Sequence, residues 1–148
     1  MIRVIRIKDK HIREAAKVLA EAYNISVNNA KKDITSKKRN EKWFVAIKDN
    51  RVAGVLGYFF DYSHYANFIE DLAVSKKYRR QGVGKALLHK FIEISRKEQP
   101  KKQPYCLSST DVTNKASIKL HLGFGFKKLG TIKKLHYGKD EIIFGYKL

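Results

Sequence analysis

Apolar and charged residues alternate through Met1-Ile2-Arg3-Val4-Ile5-Arg6-Ile7, the period of a strand with one buried face, so residues 2–7 are predicted as a strand. The period then lengthens. Ile12, Ala15, Ala16, Leu19, Ala22 and Tyr23 form a helical stripe, with Asp9 placed as its N-cap. Ile25, Val27, Ala30 and Ile34 lie at looser helical spacing in the polar, basic stretch from Asn24 to Asn40, which predicts a short helix flanked by loops. Two β-rich runs, Trp43 to Ile47 and Val52 to Phe60, flank Lys48-Asp49-Asn50-Arg51, where Asp-Asn suits a hairpin turn between antiparallel neighbours. Phe68 to Val74 reads as another strand, and from Gly82 a long helix follows with Val83, Ala86, Leu87, Phe91 and Ile94 on one face. Pro100 and Pro104 bracket a linker, Tyr105-Cys106-Leu107 opens a strand, and Ala116 to Leu122 reads as a short helix. Residues 126–135 and 141–148 close a second hairpin around Tyr137-Gly138-Lys139-Asp140. The order is that of a mixed α/β (α+β) sheet in a single domain, 1–148, not of a βαβ series of Rossmann type.

Composition narrows the class. The chain of 148 residues is 43% hydrophobic and 11% aromatic, which excludes a disordered polyelectrolyte despite 32 Lys+Arg against 14 Asp+Glu and a net charge of +18. No apolar run approaches the roughly 18–20 residues of a membrane span, and the N-terminus lacks a signal-peptide h-region, so a cytoplasmic protein with no membrane partner is expected. A lone Cys106 excludes a disulfide framework and a cysteine-based zinc cluster, and reads as buried packing. The charge invites a nucleic-acid reading. Its lysines and arginines, however, are scattered as pairs such as Lys31-Lys32, Lys76-Lys77 and Lys133-Lys134, with no block of five or six. Nucleic acid is therefore the second choice of partner, behind a small anionic ligand.

The stretch from Leu72 to Ala86 carries the chemistry: a strand runs into a basic loop with Gly82 and Gly84, and a helix begins there. Glycines let a ligand approach the backbone, since a Cβ at 82 or 84 would intrude. Free amides at a helix N-terminus favour an anion, and Arg79, Arg80 and Lys85 add full charges. A phosphate or pyrophosphate is the ligand such a loop fits. Gly82-Val83-Gly84-Lys85-Ala86 lacks the first glycine and the hydroxyl of a Walker A loop, and Leu87 stands where a dinucleotide fingerprint needs its third glycine.

The pattern Arg79-Arg80-Gln81-Gly82-Val83-Gly84, after a strand ending Leu72-Ala73-Val74, resembles that of the GNAT superfamily of acyl-CoA N-acyltransferases. The resemblance covers nearly the whole chain: the first strand and helix, the hairpin at 43–60, the strand at 67–74, and a segment from Asn114 to Phe126 roughly thirty residues past the glycines. It implies a mostly antiparallel sheet flanked by helices, with a splayed central strand pair. It further implies acetyl-CoA as acyl donor, no metal, and direct transfer to a primary amine in a ternary complex. The amides of Gln81, Gly82, Val83, Gly84 and Lys85 would cradle the coenzyme A pyrophosphate, with Arg79 and Arg80 nearby. Leu72 and Val74 would pair with the pantetheine arm through their backbones, and the Leu72 N–H would polarise the thioester carbonyl. Asn114 would hold the pantetheine or act near the thiol.

Acyl transfer also needs a base for the amine and a proton for the thiolate. Alternation puts Glu70 and Asp71 on opposite sheet faces, so at most one faces the substrate. The Ile-Glu-Asp-Leu-Ala-Val context resembles members that use the Glu as base, often through water, which favours Glu70. Many members carry Asn-x-x-Ala-x-x-x-Tyr, with the Tyr as general acid. Here the run from Asn114 places Ser117 for the Ala and His121 for the Tyr, and His121 can take that role. The Ser-x-x-Leu-His form is similar to that of the phosphinothricin and methionine-sulfoximine acetyltransferase branch; Tyr137 or Tyr105 are alternative proton sources. Tyr23, Tyr58, Tyr62, His64 and Tyr65 fall in regions that border the acceptor pocket in this family. The acceptor is expected to be a small molecule or peptide. An anionic or zwitterionic one fits the field of the chain better than a strongly cationic polyamine. Two alternatives stand beside this reading: a protein N-terminal or lysine acetyltransferase, and a basic RNA- or ribosome-binding module without turnover. A monomer or a homodimer is compatible with the sequence.

Overall fold

Both hairpins form on turns whose residues take left-handed backbone angles. In the computed structural model, which describes residues 1–36, 41–62, 66–98 and 105–148, Asp49 and Asn50 have φ of 51° and 59° and join β2 (Glu41–Lys48) to β3 (Arg51–Tyr62). Two such residues make the turn that matches strand twist, and Asn and Asp tolerate it. Tyr137 and Gly138 do the same, at φ 48° and 81°, between β6 (Lys127–His136) and β7 (Lys139–Lys147).

The first strand, β1 (Arg3–Arg6), is followed by α1 (Ile12–Tyr23), α2 (Val27–Thr35), the β2–β3 hairpin, and β4 (Ala66–Val74). Then come α3 (Val83–Glu98), β5 (Tyr105–Asp111), α4 (Lys115–Phe124) and the β6–β7 hairpin. Asp9 does not cap α1 as the pattern predicts. A single 3-10 turn over Asp9–His11 intervenes, and the Lys8 N–H donates to His11 Nδ1 at 3.1 Å. Ser26 caps α2 by accepting from the Asn29 N–H at 3.0 Å. The linker with Pro100 and Pro104, the residues His64 and Tyr65, and the side chain of Tyr62 lie outside the described residues.

The seven strands form one sheet in the order β1-β2-β3-β4-β5-β7-β6, antiparallel throughout except for β4 and β5. The α1–α2 layer buries Ala15, Ala16, Leu19, Ala30 and Ile34 against Trp43, Val45, Val55 and Ala73. On the other face α3 buries Leu87, Leu88, Phe91 and Ile92 against Phe44, Leu56, Tyr58 and Ile69. Among the described residues no helix is long and apolar enough to cross a membrane.

A polar cluster pins the C-terminal end of α3 to the sheet. Glu98 accepts from the Tyr58 hydroxyl at 3.1–3.2 Å, from Asn67 Nδ2 at 3.2 Å and from Lys42 Nζ at 2.6 Å, while Asn67 also donates to Ser95. Burial, then the Glu98 charge, raises the Tyr58 phenol above its usual range, so it stays a donor. With that end fixed, the helix axis delivers its N-terminus to the end of β4. Glu98→Ala is expected to cost about 1–3 kcal/mol in denaturant unfolding, because it strands the Tyr58 hydroxyl and the Lys42 ammonium. Tyr58→Phe should cost less, and the double variant little more than Glu98→Ala alone, since both act on one network.

Candidate active site

The loop after β4 is built around two left-handed residues, Arg80 at φ 60° and Gly82 at φ 83°. The Ala86 N–H bonds the Gly82 carbonyl at 2.9 Å, which makes Gly82 the cap of α3. The amides of Val83, Gly84 and Lys85 then form the first turn, where backbone donors have no intrahelical acceptor. Around Gly82 an added Cβ would meet only Ile2 at 3.9 Å, so its backbone angle explains the glycine. Gly84 is different: a Cβ there would lie 2.9 Å from Leu120 of α4, so the space expected to serve a ligand is filled by helix packing. Arg80 and Lys85 are exposed. The Arg79 Nε donates to the Val74 carbonyl at 3.3 Å, and Gln81 bridges Lys48 and the Lys77 carbonyl.

β4 and β5 pair only at Phe68↔Leu107 and Ile69↔Ser108, and beyond that point β4 has no β5 partner. The splay coincides with an irregularity on the other edge of β4. There Tyr58 pairs with Ile69 and Gly57 with Asp71, which leaves Glu70 as an extra residue, a β-bulge. Ile69 and Leu72 both pack toward α3, while Ala73 packs toward α1. The bulge therefore slips the alternation by one, and Glu70 and Asp71 both fall on the α1 side. The expectation that they face opposite ways is corrected by this extra residue.

Tyr23, the last residue of α1, reaches this point. Its hydroxyl is hydrogen-bonded to the Asp71 carboxylate and receives the Leu72 backbone N–H. Burial of the hydroxyl, then the Asp71 charge, holds the phenol well above its ordinary range, although the residue as a whole is 46% exposed. The phenol is thus protonated and donates to Asp71. The sequence placed Tyr23 near the pocket but gave no sign of its bond to the candidate oxyanion donor. Glu70 is exposed beside it.

The Asn114 segment forms the expected short helix, and its histidine is enclosed. Asn114 caps α4 by accepting from the Ser117 N–H at 3.1 Å. His121 is 1% exposed, stacked parallel on Phe144 at 4.9 Å and edge-on to Phe126 at 5.2 Å. Its Nδ1 lies 2.8 Å from the Ser117 carbonyl and its Nε2 2.7 Å from Ser108 Oγ. A carbonyl only accepts, so Nδ1 carries the proton and Nε2 receives the serine hydroxyl. Both ring nitrogens are spoken for inside an aromatic enclosure, an environment suited to holding α4 on β5. Tyr105 lies at the far end of β5, paired with Lys147, and Tyr137 is 95% exposed at the hairpin tip. Cys106 is buried, and burial pushes its thiol up to about 12, which suits packing. Among the described residues no group of three His, Cys, Asp or Glu side chains could hold a metal ion.

Burial lowers the His121 pKa below its usual 6.5, with the Ser117 carbonyl opposing in part. The unfolded chain therefore binds the proton more readily, and the stabilisation from neutral His121 is full above about pH 6.5 and lost as pH falls toward the folded value. Chemical unfolding at pH 7.5 and 5.5 should show this loss, and His121→Gln should flatten the difference. His11 is lowered too, so the contrast between wild type and variant is the measurement.

The profile of the Acetyltransferase (GNAT) family matches residues 10–126. Streptothricin acetyltransferase A of Bacillus subtilis (strain 168) is 46% identical over 50 residues, a match covering 34% of this chain and 28% of that protein. A GNAT-family acetyltransferase from Bacillus cereus ATCC 10987 superposes with a TM-score of 0.81 at 23% identity, over 99% of this chain and 97% of the other. The ribosomal-protein-S18-alanine N-acetyltransferase from Escherichia coli gives 0.78 at 19% identity, over 99% and 94%. A protein assigned as a streptothricin acetyltransferase from Bacillus anthracis str. Ames, in complex with acetyl coenzyme A, gives 0.65 at 24% identity, over 76% and 65%. GNAT acetyltransferases use acetyl-CoA, and the splayed strand pair, the glycine-capped helix and the family match together place this chain in the GNAT acetyltransferase family.

Proposed function

We propose that the chain transfers the acetyl group of acetyl-CoA to a primary amine, directly and within a ternary complex. The observation that carries this reading is the free edge of β4, which runs from the bulge at Glu70 to the loop that caps α3. The residues fit the donor. The first-turn amides of α3, with Arg79, Arg80 and Lys85 around them, would take the pyrophosphate. The backbone of Leu72 and Val74, which has no β5 partner and is held only by the Tyr23 and Arg79 side chains, would take the amides of the pantetheine arm, as a missing strand would. Asn114, at the head of α4, would border that arm, with its side-chain oxygen engaged by the Ser117 N–H.

In the reaction the amine nitrogen attacks the thioester carbonyl carbon, and a C–N bond forms as the C–S bond breaks. Glu70 takes the proton that the amine loses, directly or through water. The Leu72 N–H is the donor for the developing oxyanion, so Tyr23 must surrender it to the thioester oxygen. The displaced phenol, kept protonated by burial and by the Asp71 charge, then stands close to the departing thiolate and supplies its proton; Glu70 returns the proton lost by the amine to the phenol through solvent. His121 acts on the placement of α4.

Calorimetry with acetyl-CoA and an assay of thiol release over a panel of amines, amino acids and peptides test the reading. Micromolar binding and amine-dependent release are expected; no binding at high micromolar ligand would refute it and favour an RNA-binding module. Glu70→Gln should lower kcat by about 10²–10⁴-fold, with acetyl-CoA affinity retained. Tyr23→Phe should lower kcat by about tenfold or more. Full activity of Glu70→Gln across pH 6–9 would dismiss that residue as the base.

A further inference from the structure

The helices α1 and α2 cover only half of their face of the sheet. Among the described residues, the apolar layer beneath them takes residues from β1 to β4 and none from β5, β6 or β7. On β5 and β7, Cys106, Ile142 and Phe144 belong to the core under α3, so alternation turns Tyr105, Leu107, Ser109 and Ile143 to the opposite face. Pairing sets them in rows: Leu107 beside Gly145, Ser109 beside Ile143 and Gly130, and Asp111 beside Glu141 and Ile132. Leu129, the extra residue of a bulge in β6, lies over Gly145, its Cδ1 2.6 Å from where a Cβ would stand. A Cβ on Gly130 would meet nothing within 4 Å beyond its chain neighbours, so the face is open above it. Leu129 is 54% and Ile132 46% exposed, and Tyr105 is exposed at the end of β5. Clustered exposed apolar side chains rimmed by charge mark an interaction surface.

The backbone at this edge does not invite another strand. β6 ends the sheet, and its pairing with β7 is broken twice, after Lys128 and between Ile132 and His136. Lys134, in the second break, takes a left-handed φ of 55°, and its N–H goes to the Asp140 carboxylate. Bulges and lysines blunt an edge against pairing. What remains is a surface of side chains, and its exposed charge has one sign. Lys127, Lys128, Lys133, Lys134, Lys139 and Lys147 are all exposed. The carboxylates are withdrawn: Asp140 holds the Lys134 N–H, Glu141 is buried, and Asp111 accepts from the N–H and hydroxyl of Thr113.

That charge discriminates among occupants. A second copy placed by a two-fold axis would set these lysines against their own kind. A nucleic acid is met by arginine forks and aromatic platforms, yet residues 127–148 contain no arginine and the centre of the patch is aliphatic. An acidic polypeptide with apolar side chains matches both the charge and the surface. We propose that this half-face docks an acidic amphipathic helix of a partner protein. Its apolar stripe lies across Leu107, Leu129, Ile132 and Ile143, and its carboxylates stand over the flanking lysines. A helix is also what covers the other half of this face, through α1 and α2. The surface uses no residue of the β4 edge or of the loop into α3, so the proposal is independent of the acetyl-transfer reading.

Fluorescence anisotropy tests it with a labelled peptide of about sixteen residues, leucine at i, i+3, i+4 and i+7 and glutamate at most other positions. A peptide of the same composition with that spacing scrambled is the control. The full chain should bind the patterned peptide about tenfold or more tighter than the scrambled one. Ile132→Ser, which removes apolar contact, and Gly130→Glu, which sets a carboxylate in the open space, should each weaken it about fivefold or more. Circular dichroism and thermal unfolding report whether each variant is folded, and the room above Gly130 keeps the second readable if the first unfolds. Equal binding of the two peptides, no binding at about 1 mM, or binding unmoved by both variants overturns the proposal. Sedimentation velocity and a labelled single-stranded RNA cover the other occupants. A dimer that Ile132→Ser dissociates gives the surface to a second copy. RNA binding that exceeds the peptide's and is lost in Gly130→Glu gives it to nucleic acid, and either result overturns the helix.

Discussion

The site depends on β4 ceasing to pair with β5 after Ile69. Backbone N–H and C=O groups must find partners, and a strand that loses its neighbour leaves a row of them at the centre of the sheet. The structure answers with side chains: Tyr23 takes the Leu72 N–H, and Arg79 takes the Val74 carbonyl. A neighbouring strand would have held those groups permanently. A phenol at the end of a helix and a guanidinium in a loop can turn away at the cost of one hydrogen bond each. The edge is therefore satisfied when empty and still accessible to an extended, amide-bearing ligand.

The bulge at Glu70 makes this geometry usable. One extra residue bends β4 away from β5 and turns two adjacent carboxylates to a single face. Both consequences were hidden in the sequence, because a bulge keeps the same alternation of residue types and changes only the register. Glu70-Asp71 reads from composition as one residue in and one out, and only the pairing with Gly57 and Tyr58 shows otherwise. The element order, both hairpins and the loop into α3 were legible for the opposite reason. Asp49-Asn50, Tyr137-Gly138 and Gly82 are local backbone requirements, and local requirements leave their mark on residue type. The two glycines of the loop separate on this ground: Gly82 answers to its own φ, whereas Gly84 answers to Leu120, thirty-six positions away in the chain.

His121 stands at a motif position and is also a packed part of the fold. Its place in the run from Asn114 matches that of a proton donor in the family, but the side chain is enclosed by Phe126 and Phe144. An imidazole in such an enclosure is held neutral, and with Ser108 and Ser117 on its two nitrogens it becomes a fixed connector between α4 and β5. A tyrosine at that place would carry one polar atom at its tip. The histidine carries two along its edge, and the structure spends both on neighbours. The hydroxyl that does meet the β4 edge is that of Tyr23 on α1, which is why the proposed reading gives it the proton.

Charge demands the same attention to place. A net +18 describes the distant field, which sets how an ion approaches. Close to the site, direct contacts decide, and there the cationic loop at Arg79 to Lys85 leads into α3, which packs on one face of the sheet, whereas Glu70 and Asp71 fall on the α1 side. The two faces communicate where the sheet is open, between β4 and β5. A sheet closed at this pair would hold the β4 backbone in permanent strand bonds and part the loop that caps α3 from Glu70 and Asp71.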